Sequence, residues 1–425
     1  MIAVPFVLFF ILTFLLYRKF HFFNTPCIIS LFFTITSFFS ILVDVLGLRG
    51  SVTFSYVFSY AAPFFFCFYI FLCLVPLIIF AEQPQKKIYA VNSPFILKVI
   101  AVICFCYFIL NLVLSFDDIV NVLTGDIRAL RAAIYRGEYE SGWIGKVPGI
   151  FRFPFVFLNM VMSVSWIYIF FAFYCLCVQK MPIKYFVFFI VSSLMEPVVG
   201  IVGVDRSKMT YWLISFYVVF VFFKPYLSSK QNKLINIISL FLALWIVVYL
   251  STMTDARFSE QYYGGGVSGS LGSAVSYLGQ SYINFCYFFD NVELSEISTA
   301  IFLPFTNTTI LRNPIVGGTI VQTYFSNMTG YELGVFYTYL GQILVTAGHY
   351  ILFIFVCAFF WISMILLKRK KMEYFSLLEA YIYLSCASVL FLGIFVHYYS
   401  NPGKTFALVF FAGVSFCLTK NVKLR

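Results

Sequence analysis

The stretch LVTAGHYILFIFVCAFFWISMILLKRKK, residues 344–371, decides the fold. From Leu344 to Leu367 there is no acid, lysine or arginine, and then Lys368, Arg369, Lys370 and Lys371 arrive together. An apolar run of about 17–25 residues crosses a bilayer as a helix. A cluster of cations at its end is retained on the cytoplasmic side. Runs of the same kind occur at 2–17, 27–46, 54–80, 95–115, 153–178, 184–203, 209–223, 234–250, 375–396 and 404–419. The sequence therefore predicts an all-α, polytopic integral membrane protein of about 11 transmembrane helices. The composition agrees: 425 residues, 62% hydrophobic and 11% charged, too apolar for a monomer in water.

The short basic loops around Arg18-Lys19, Gln85 to Lys87, Lys180 to Lys184, Lys224 to Lys233 and Lys368 to Lys371 fall on one side of this topology. The positive-inside rule then places the N-terminus outside and the C-terminus in the cytoplasm. The segment 2–17 reads as a span, because it lacks the charged start and cleavage site of a signal peptide. The net charge of +11 is mostly those inner anchors, so the partner is membrane lipid and no nucleic acid. The 57 Phe and 30 Tyr suit lipid-facing and interfacial surfaces. All 11 cysteines but Cys286 lie in or beside apolar spans, where Cys behaves as a small hydrophobe. No His, Cys and carboxylate spacing reads as a metal site, and no phosphate-binding loop with Lys-Ser or Lys-Thr occurs. No metal and no cofactor are expected.

Arginine and lysine segregate. The outer side holds Arg49, Arg128, Arg131, Arg136, Arg152, Arg206, Arg257 and Arg312, with Lys146, Lys208 and Lys404. The inner side is mainly lysine. Lysine suffices as an anchor, whereas the guanidinium is a permanent planar fork that grips phosphate or carboxylate in two bonds. An outer face rich in arginine points to an anionic ligand. Arg49 and Arg152 read as anchors.

Two outer loops are long, 116–152 and 251–343. Both carry amphipathic patterns, predicting short helices along the membrane surface. In the second loop Val275, Leu278, Tyr282, Phe285 and Phe289 recur at helical spacing, followed by Leu294, Ile297, Ile301 and Phe302. Gly264 to Ser270 reads as a hinge. The apolar, glycine-interrupted segment 334–347 reads as either re-entrant or an upward extension of the next helix.

Four constellations carry chemistry. The first loop holds Asp126, Arg128, Arg131, Arg136, Glu138 and Glu140; Arg128 and Arg131 share a helical face. The alternative there is a solvated, salt-bridged helix. Asp205, Arg206 and Lys208 occupy a short turn, with Glu196 inside the preceding span. An ionisable group within a span is a functional hypothesis by default; the alternative is a Glu196–Arg206 or Asp205–Arg206 ion pair that stabilises the turn. Asp255, Arg257 and Glu260 open the large loop, and Arg312 lies near its end. His349 and His397 sit at the outer ends of their spans, and His349 is a candidate general base. His397 reads equally as an interfacial residue. Glu379 is the other acid well inside a span.

The layout of spans, the large loop before the last three, and Tyr337-Thr338-Tyr339-Leu340-Gly341-Gln342 with Gly348 resemble one family. They are similar to the oligosaccharide repeat-unit polymerases, the Wzy-type O-antigen and capsular polysaccharide polymerases. Thr338, Tyr339, Leu340 and Gly341 match a Thr-aromatic-Leu-Gly element, and Gly348 matches the glycine of a following Asp-aromatic-Gly. Thr346 stands at the Asp position. Asp205-Arg206-Ser207 resembles a short arginine-serine element of these polymerases and of O-antigen ligases. An arginine-to-glycine spacing described for some members is not met at Arg128 or Arg257.

The resemblance implies a GT-C-like, metal-independent membrane glycosyltransferase without cofactor. Its donor would be a glycan on undecaprenyl pyrophosphate, its acceptor one lipid-linked repeat unit, and a chain-length regulator a further partner. Arg206, Arg257 and Arg312 would stabilise the leaving pyrophosphate. His349 would be the base, with Glu196 or Asp255 in reserve. Arg128, Arg131, Arg136, Glu138, Asp205, Tyr337 and Tyr339 would help bind the substrates. An O-antigen ligase shares this fold and donor. A polysaccharide flippase or secondary transporter is the alternative of a different class.

Overall fold

The computed structural model describes residues 1–21, 23–49, 53, 56–81, 87–136, 146–258, 269–291, 337–367 and 374–420. It is mostly helical. Among the described residues, eight helices are long and apolar enough to cross a membrane, and one bent pair passes as a ninth. Val4–Phe20, with 17 residues, and Leu377–Leu392 are shorter apolar helices. The chain is therefore a helical membrane protein.

The chain divides into two compact units. The first comprises residues 1–86, 260–373 and 382–405; the second 87–259, 374–381 and 406–425. In chain order the helices are α1 Val4–Phe20, α2 Thr25–Val45, α3 Ala61–Ala81, α4 Phe95–Leu114, α5 Phe116–Thr124, α6 Ile127–Arg136, α7 Gly149–Val161 and α8 Ser165–Phe173. They continue with α9 Ile183–Ser193, α10 Met195–Val202, α11 Arg206–Phe223, α12 Ser229–Phe258, α13 Gly269–Asn291, α14 Thr338–Leu367, α15 Leu377–Leu392 and α16 Pro402–Lys420. The one sheet described is a parallel pair, β1 Lys87–Ile88 with β2 Tyr374–Phe375.

In the first unit α13 lies along α2. The amphipathic stripe in the large loop is therefore not a short helix on the membrane surface. It is a 23-residue helix with Val275, Tyr282 and Phe285 buried, packed through Gly279 against the backbone of Phe39 and Ser40. The Ser40 hydroxyl donates to the Gly279 carbonyl at 2.5 Å. Small residues let helix backbones approach closely enough for such a bond, the usual basis of helix association in lipid. Phe66 then packs its ring on Tyr282 and Phe285 at about 5 Å. The residues beyond 291 that were expected to continue this pattern lie outside the described set.

The segment before His349 is neither a simple extension nor a loop. Gly348 has φ 78° and ψ 177°, a conformation open to glycine, and it breaks α14 into 338–347 and 349–367. The early half is buried. Its first amides, of Tyr337, Thr338 and Tyr339, donate to the carbonyls of Phe395, Phe395 and Gly393. Those carbonyls follow the end of α15. One helix start thus satisfies its orphan donors with the orphan acceptors past another helix end.

In the second unit two spans are broken. α7 and α8 meet at 68°, and α9 and α10 are separated at Leu194. Pro197 has no amide to offer the Ser193 carbonyl one turn earlier. The Ser165 hydroxyl takes its place, 2.9 Å from that carbonyl. Glu379, expected within a span, instead sits at the start of α15. It accepts the Ser376 amide at 2.8 Å while Ser376 Oγ accepts the Glu379 amide at 3.2 Å, a capping box.

Tyr89 bonds Phe375, and Leu378 bonds Thr419, in the second unit. Ser276 bonds Leu48, and Thr338 bridges Val396, in the first.

The α2–α13 crossing sets an expected outcome. Gly279→Val forces a side chain into the Phe39 carbonyl and lowers stability in detergent by about 1–3 kcal/mol, the range for overpacking. Gly413→Ala, which meets no atom of another segment within 4 Å, leaves the melting temperature unchanged or raises it slightly through helix propensity. Thermal unfolding of the two purified variants checks both.

Candidate functional site

The turn Gly203-Val204-Asp205 joins α10 to α11, and three segments of the second unit converge on it. Asp205 caps α11: its carboxylate accepts the Ser207 amide at 2.9 Å and the Ser207 hydroxyl at 2.6 Å. Val204 has φ 50°, which a β-branched residue adopts only when its surroundings impose it. Those surroundings are visible. The Val204 side chain is fully buried with Val122 of α5 and Met253 of α12, and Leu130 and Ile134 of α6 pack on the same cluster. Its carbonyl accepts a hydrogen bond from the Arg131 guanidinium.

Arg206 is the first residue of α11 and is buried, 9% exposed. Its guanidinium donates to the Thr254 hydroxyl at 2.6 Å. Thr254 lies in the last turns of α12 and donates in turn to the Leu250 carbonyl at 2.6 Å. Asp255 and Arg257 follow on the same helix; their places on the backbone are described. Arg128 and Arg136 likewise have places on α6. Arg131 thus bonds the turn itself, and Arg206, which follows the turn, bonds Thr254 near the end of the helix that carries Arg257. Arg312 and Glu138 lie outside the described residues.

The acids near this turn have structural duties. The Glu196 carboxylate is buried, 3.0 Å from the Ser165 hydroxyl at the α7–α8 bend. Asp118 of α5 is buried and pairs with Lys146 at 3.1 Å, and the same ammonium donates to the Leu114 carbonyl at 2.8 Å. Among the described residues no group of three His, Cys, Asp or Glu could hold a metal ion.

The first unit carries His349, Tyr337, Tyr339 and His397. Tyr337 and Tyr339 are buried at the start of α14, where Tyr339 is fully enclosed. His349 is half-buried just past the Gly348 break, its ring edge-on to Phe289 with centroids 4.6 Å apart. His397 is buried, its amide donating to the Gln342 side chain at 2.8 Å. Burial lowers the His397 imidazole to about 4, so it is neutral at physiological pH. Arg49, read as a bare anchor, pairs with Asp44 at 2.5 Å and donates to the Tyr56 carbonyl at 2.6 Å. Asp44, five residues earlier, was the overlooked neighbour.

Sequence reasoning reached Arg131, Asp205 and Arg206. It missed the Val204 carbonyl and Thr254. Thr254 directly precedes Asp255 near the end of an apolar run, a signal that was available. Nothing in the letter Val announces a backbone acceptor. Comparison with known protein families, with characterised proteins and with solved structures finds no match.

Removing Arg131 leaves the buried Val204 carbonyl without this donor. Arg131→Ala is therefore expected to cost about 1–3 kcal/mol, the range for an unmatched buried polar group. Arg131→Lys keeps a donor and recovers part of it. Chemical or thermal unfolding in detergent measures both; equal stability of wild type and Arg131→Ala would contradict the assignment.

Proposed function

We propose that this chain polymerises oligosaccharide repeat units carried on undecaprenyl pyrophosphate, on the outer face of a bacterial cytoplasmic membrane. The observation that carries the proposal is that two guanidiniums are held by protein acceptors around one turn: Arg131 bonds the Val204 carbonyl, and Arg206, which follows the turn, bonds Thr254 of α12. Guanidinium groups fixed by their own hydrogen bonds are preorganised donors, and a departing pyrophosphate is the charge such donors stabilise. The GT-C-like architecture, the full count of about 11 spans, and the outward placement of this turn belong to the same proposal. The placement rests on the inner lysines and the positive-inside rule.

In the proposed reaction an acceptor hydroxyl attacks the anomeric carbon of the donor glycan. A new glycosidic bond forms and the bond from that carbon to pyrophosphate breaks. The hydroxyl proton passes to a base, and undecaprenyl pyrophosphate leaves. Asp205 is occupied as a helix cap and Glu196 faces Ser165 at a helix bend. His349 is the base proposed, with Asp255 in reserve. Arg257 and Arg312 remain proposed pyrophosphate ligands, and Arg128, Arg136, Glu138 and Asp255 proposed substrate contacts. The pyrophosphate linkage carries the energy, so metal and cofactor are not part of the proposal. A chain-length regulator is a proposed protein partner.

One observation favours a second reading. The first unit contains interrupted helices, at Gly348 and over 393–401, beside buried Gln342 and His397. Discontinuous helices with polar groups at the break are a feature of secondary transporters. A polysaccharide flippase is therefore the competing assignment, and an O-antigen ligase the competing acceptor choice.

Deletion of the gene separates them on a surface-glycan gel. Loss of a polymerase leaves single repeat units attached to the surface anchor. Loss of a ligase removes glycan from that anchor, and loss of a flippase traps repeat units inside the cell. Complementation with Arg206→Lys is expected to lower chain synthesis about 10²-fold, the effect of losing one oriented donor. Full-length chains from Arg206→Lys, with protein levels unchanged, would refute the bidentate role.

A further inference from the structure

Lysine is rare on the side that the proposed topology assigns to the outside, and each lysine there calls for a local reason. Lys146 has one: it pairs with the buried Asp118 at 3.1 Å. Lys404 has another, lying over the Tyr398 ring at 3.3 Å from its centre. Lys208, in the first turn of α11, has neither. Among the described residues its ammonium makes no hydrogen bond, ion pair or ring contact. It is nevertheless half-buried, in a packed turn. Arg152, likewise unpartnered among the described residues, is a different case. It is exposed beside Ile150, Phe151 and Phe153 on the apolar α7, where an anchor belongs.

The place of Lys208 is shaped by its neighbours. Its stem lies on Gly200 of α10, where an added Cβ would fall 2.9 Å from the Lys208 Cβ and 3.5 Å from its Cδ. Glycine leaves the room that the stem occupies. Side chains on a helix lean toward its N-terminus, so the stem carries the ammonium toward the turn that Arg131 bonds and Arg206 follows. The position is an unfavourable one for a lysine. The start of a helix carries partial positive charge, which disfavours a cation. α11 begins with Arg206 and Lys208 and has no acid in its first turn. Asp205, the cap, commits one oxygen to the Ser207 amide and hydroxyl and makes no ion pair with Lys208.

The proposed reaction creates a new charge at this turn. In the donor, pyrophosphate is an ester at both ends. When the bond to the anomeric carbon breaks, its electron pair stays on the phosphate oxygen, which becomes an additional anion. Arg131 and Arg206 give donors to protein acceptors, whereas the N–H groups of Lys208 are uncommitted among the described residues. We propose that Lys208 is the catalytic cation that meets this charge: its ammonium contacts the oxygen from which the glycan departs and holds it by a charge-assisted hydrogen bond, keeping its own proton. The ligand it selects is a pyrophosphate monoester, the leaving group, over the diester from which that group forms. A compact ammonium on a flexible stem suits an oxygen that moves as the bond breaks, while oriented guanidiniums hold the rest of the group. The inference rests on the reading of this turn as the pyrophosphate site.

The test uses the full-length protein in nanodiscs with undecaprenyl pyrophosphate and its terminal methyl ester, which cannot take on the additional charge. Wild type is expected to bind the free pyrophosphate about tenfold or more tightly than the ester, the effect of one hydrogen bond to a charged group. Lys208→Gln is expected to lose that preference and still bind the ester within about twofold of wild type, because the contact is made only to the departed oxygen. Lys208→Arg keeps the preference. In polymerisation of repeat units extracted from the deletion strain, Lys208→Gln lowers kcat by about ten- to a hundredfold and leaves KM within about twofold. A variant that weakened both lipids equally would show a role in the fold alone and overturn the inference. If Lys208→Gln keeps the wild-type preference and kcat, the inference is wrong while the pyrophosphate reading of the turn stands. If wild type binds neither lipid better than undecaprenol, that reading itself is wrong.

Discussion

Inside hydrocarbon there is no water to satisfy a backbone amide or carbonyl, so every interruption of a helix must be answered by another part of the protein. This chain interrupts its helices repeatedly, and it uses its scarce polar side chains at those interruptions. The Ser193 carbonyl, deprived of an amide by Pro197, faces the Ser165 hydroxyl. The carbonyl of Val204, in a strained turn, takes the Arg131 guanidinium. The amide of His397, beyond the end of α15, takes the Gln342 side chain. The start of α14 and the stretch after α15 satisfy each other directly.

That constraint also explains where chemistry is concentrated. A turn that needs a guanidinium to close it brings an arginine to a fixed place, and Arg206 enters the same region as the first residue of the next helix. Burial of Arg206 beside Thr254 orients the fork in advance of any ligand. The price is strain at Val204, which buried neighbours from α5 and α12 impose. Oriented cations at helix ends suit an anionic headgroup better than a neutral cargo. Likewise, the Gly348 break places His349 where the end of α13 meets it. The interruptions that need polar partners are thus also the places where the proposed reactive groups lie.

Much of this could be read from the sequence, and the failures have physical causes. The apolar runs located the helices, since the bilayer sets their length. Their continuity was overestimated because Pro197 and Ser163-Val164 lie inside apolar runs that hydropathy treats as uniform. The helix 269–291 was found by its periodicity but placed on the surface. Its serines and glycines lower its hydropathy, although they are what lets it lie close against α2. Glu379 looked like an acid in a span, and Ser376 three residues before it was the capping signal that explains it. Arg131 and Arg206 were singled out by residue type. The bond from Arg131 to the turn before Arg206 was not legible, because its acceptor is a backbone carbonyl.

The central claim is that the Arg131 and Arg206 guanidiniums form an anion site for a lipid pyrophosphate. Native mass spectrometry of the full-length protein with undecaprenyl pyrophosphate and with undecaprenol tests it most directly. The account expects the pyrophosphate lipid to bind in preference to the alcohol, and that preference to disappear in a folded Arg131→Gln/Arg206→Gln variant. Equal binding of the two lipids by the wild type, or an undiminished preference in the variant, would contradict it.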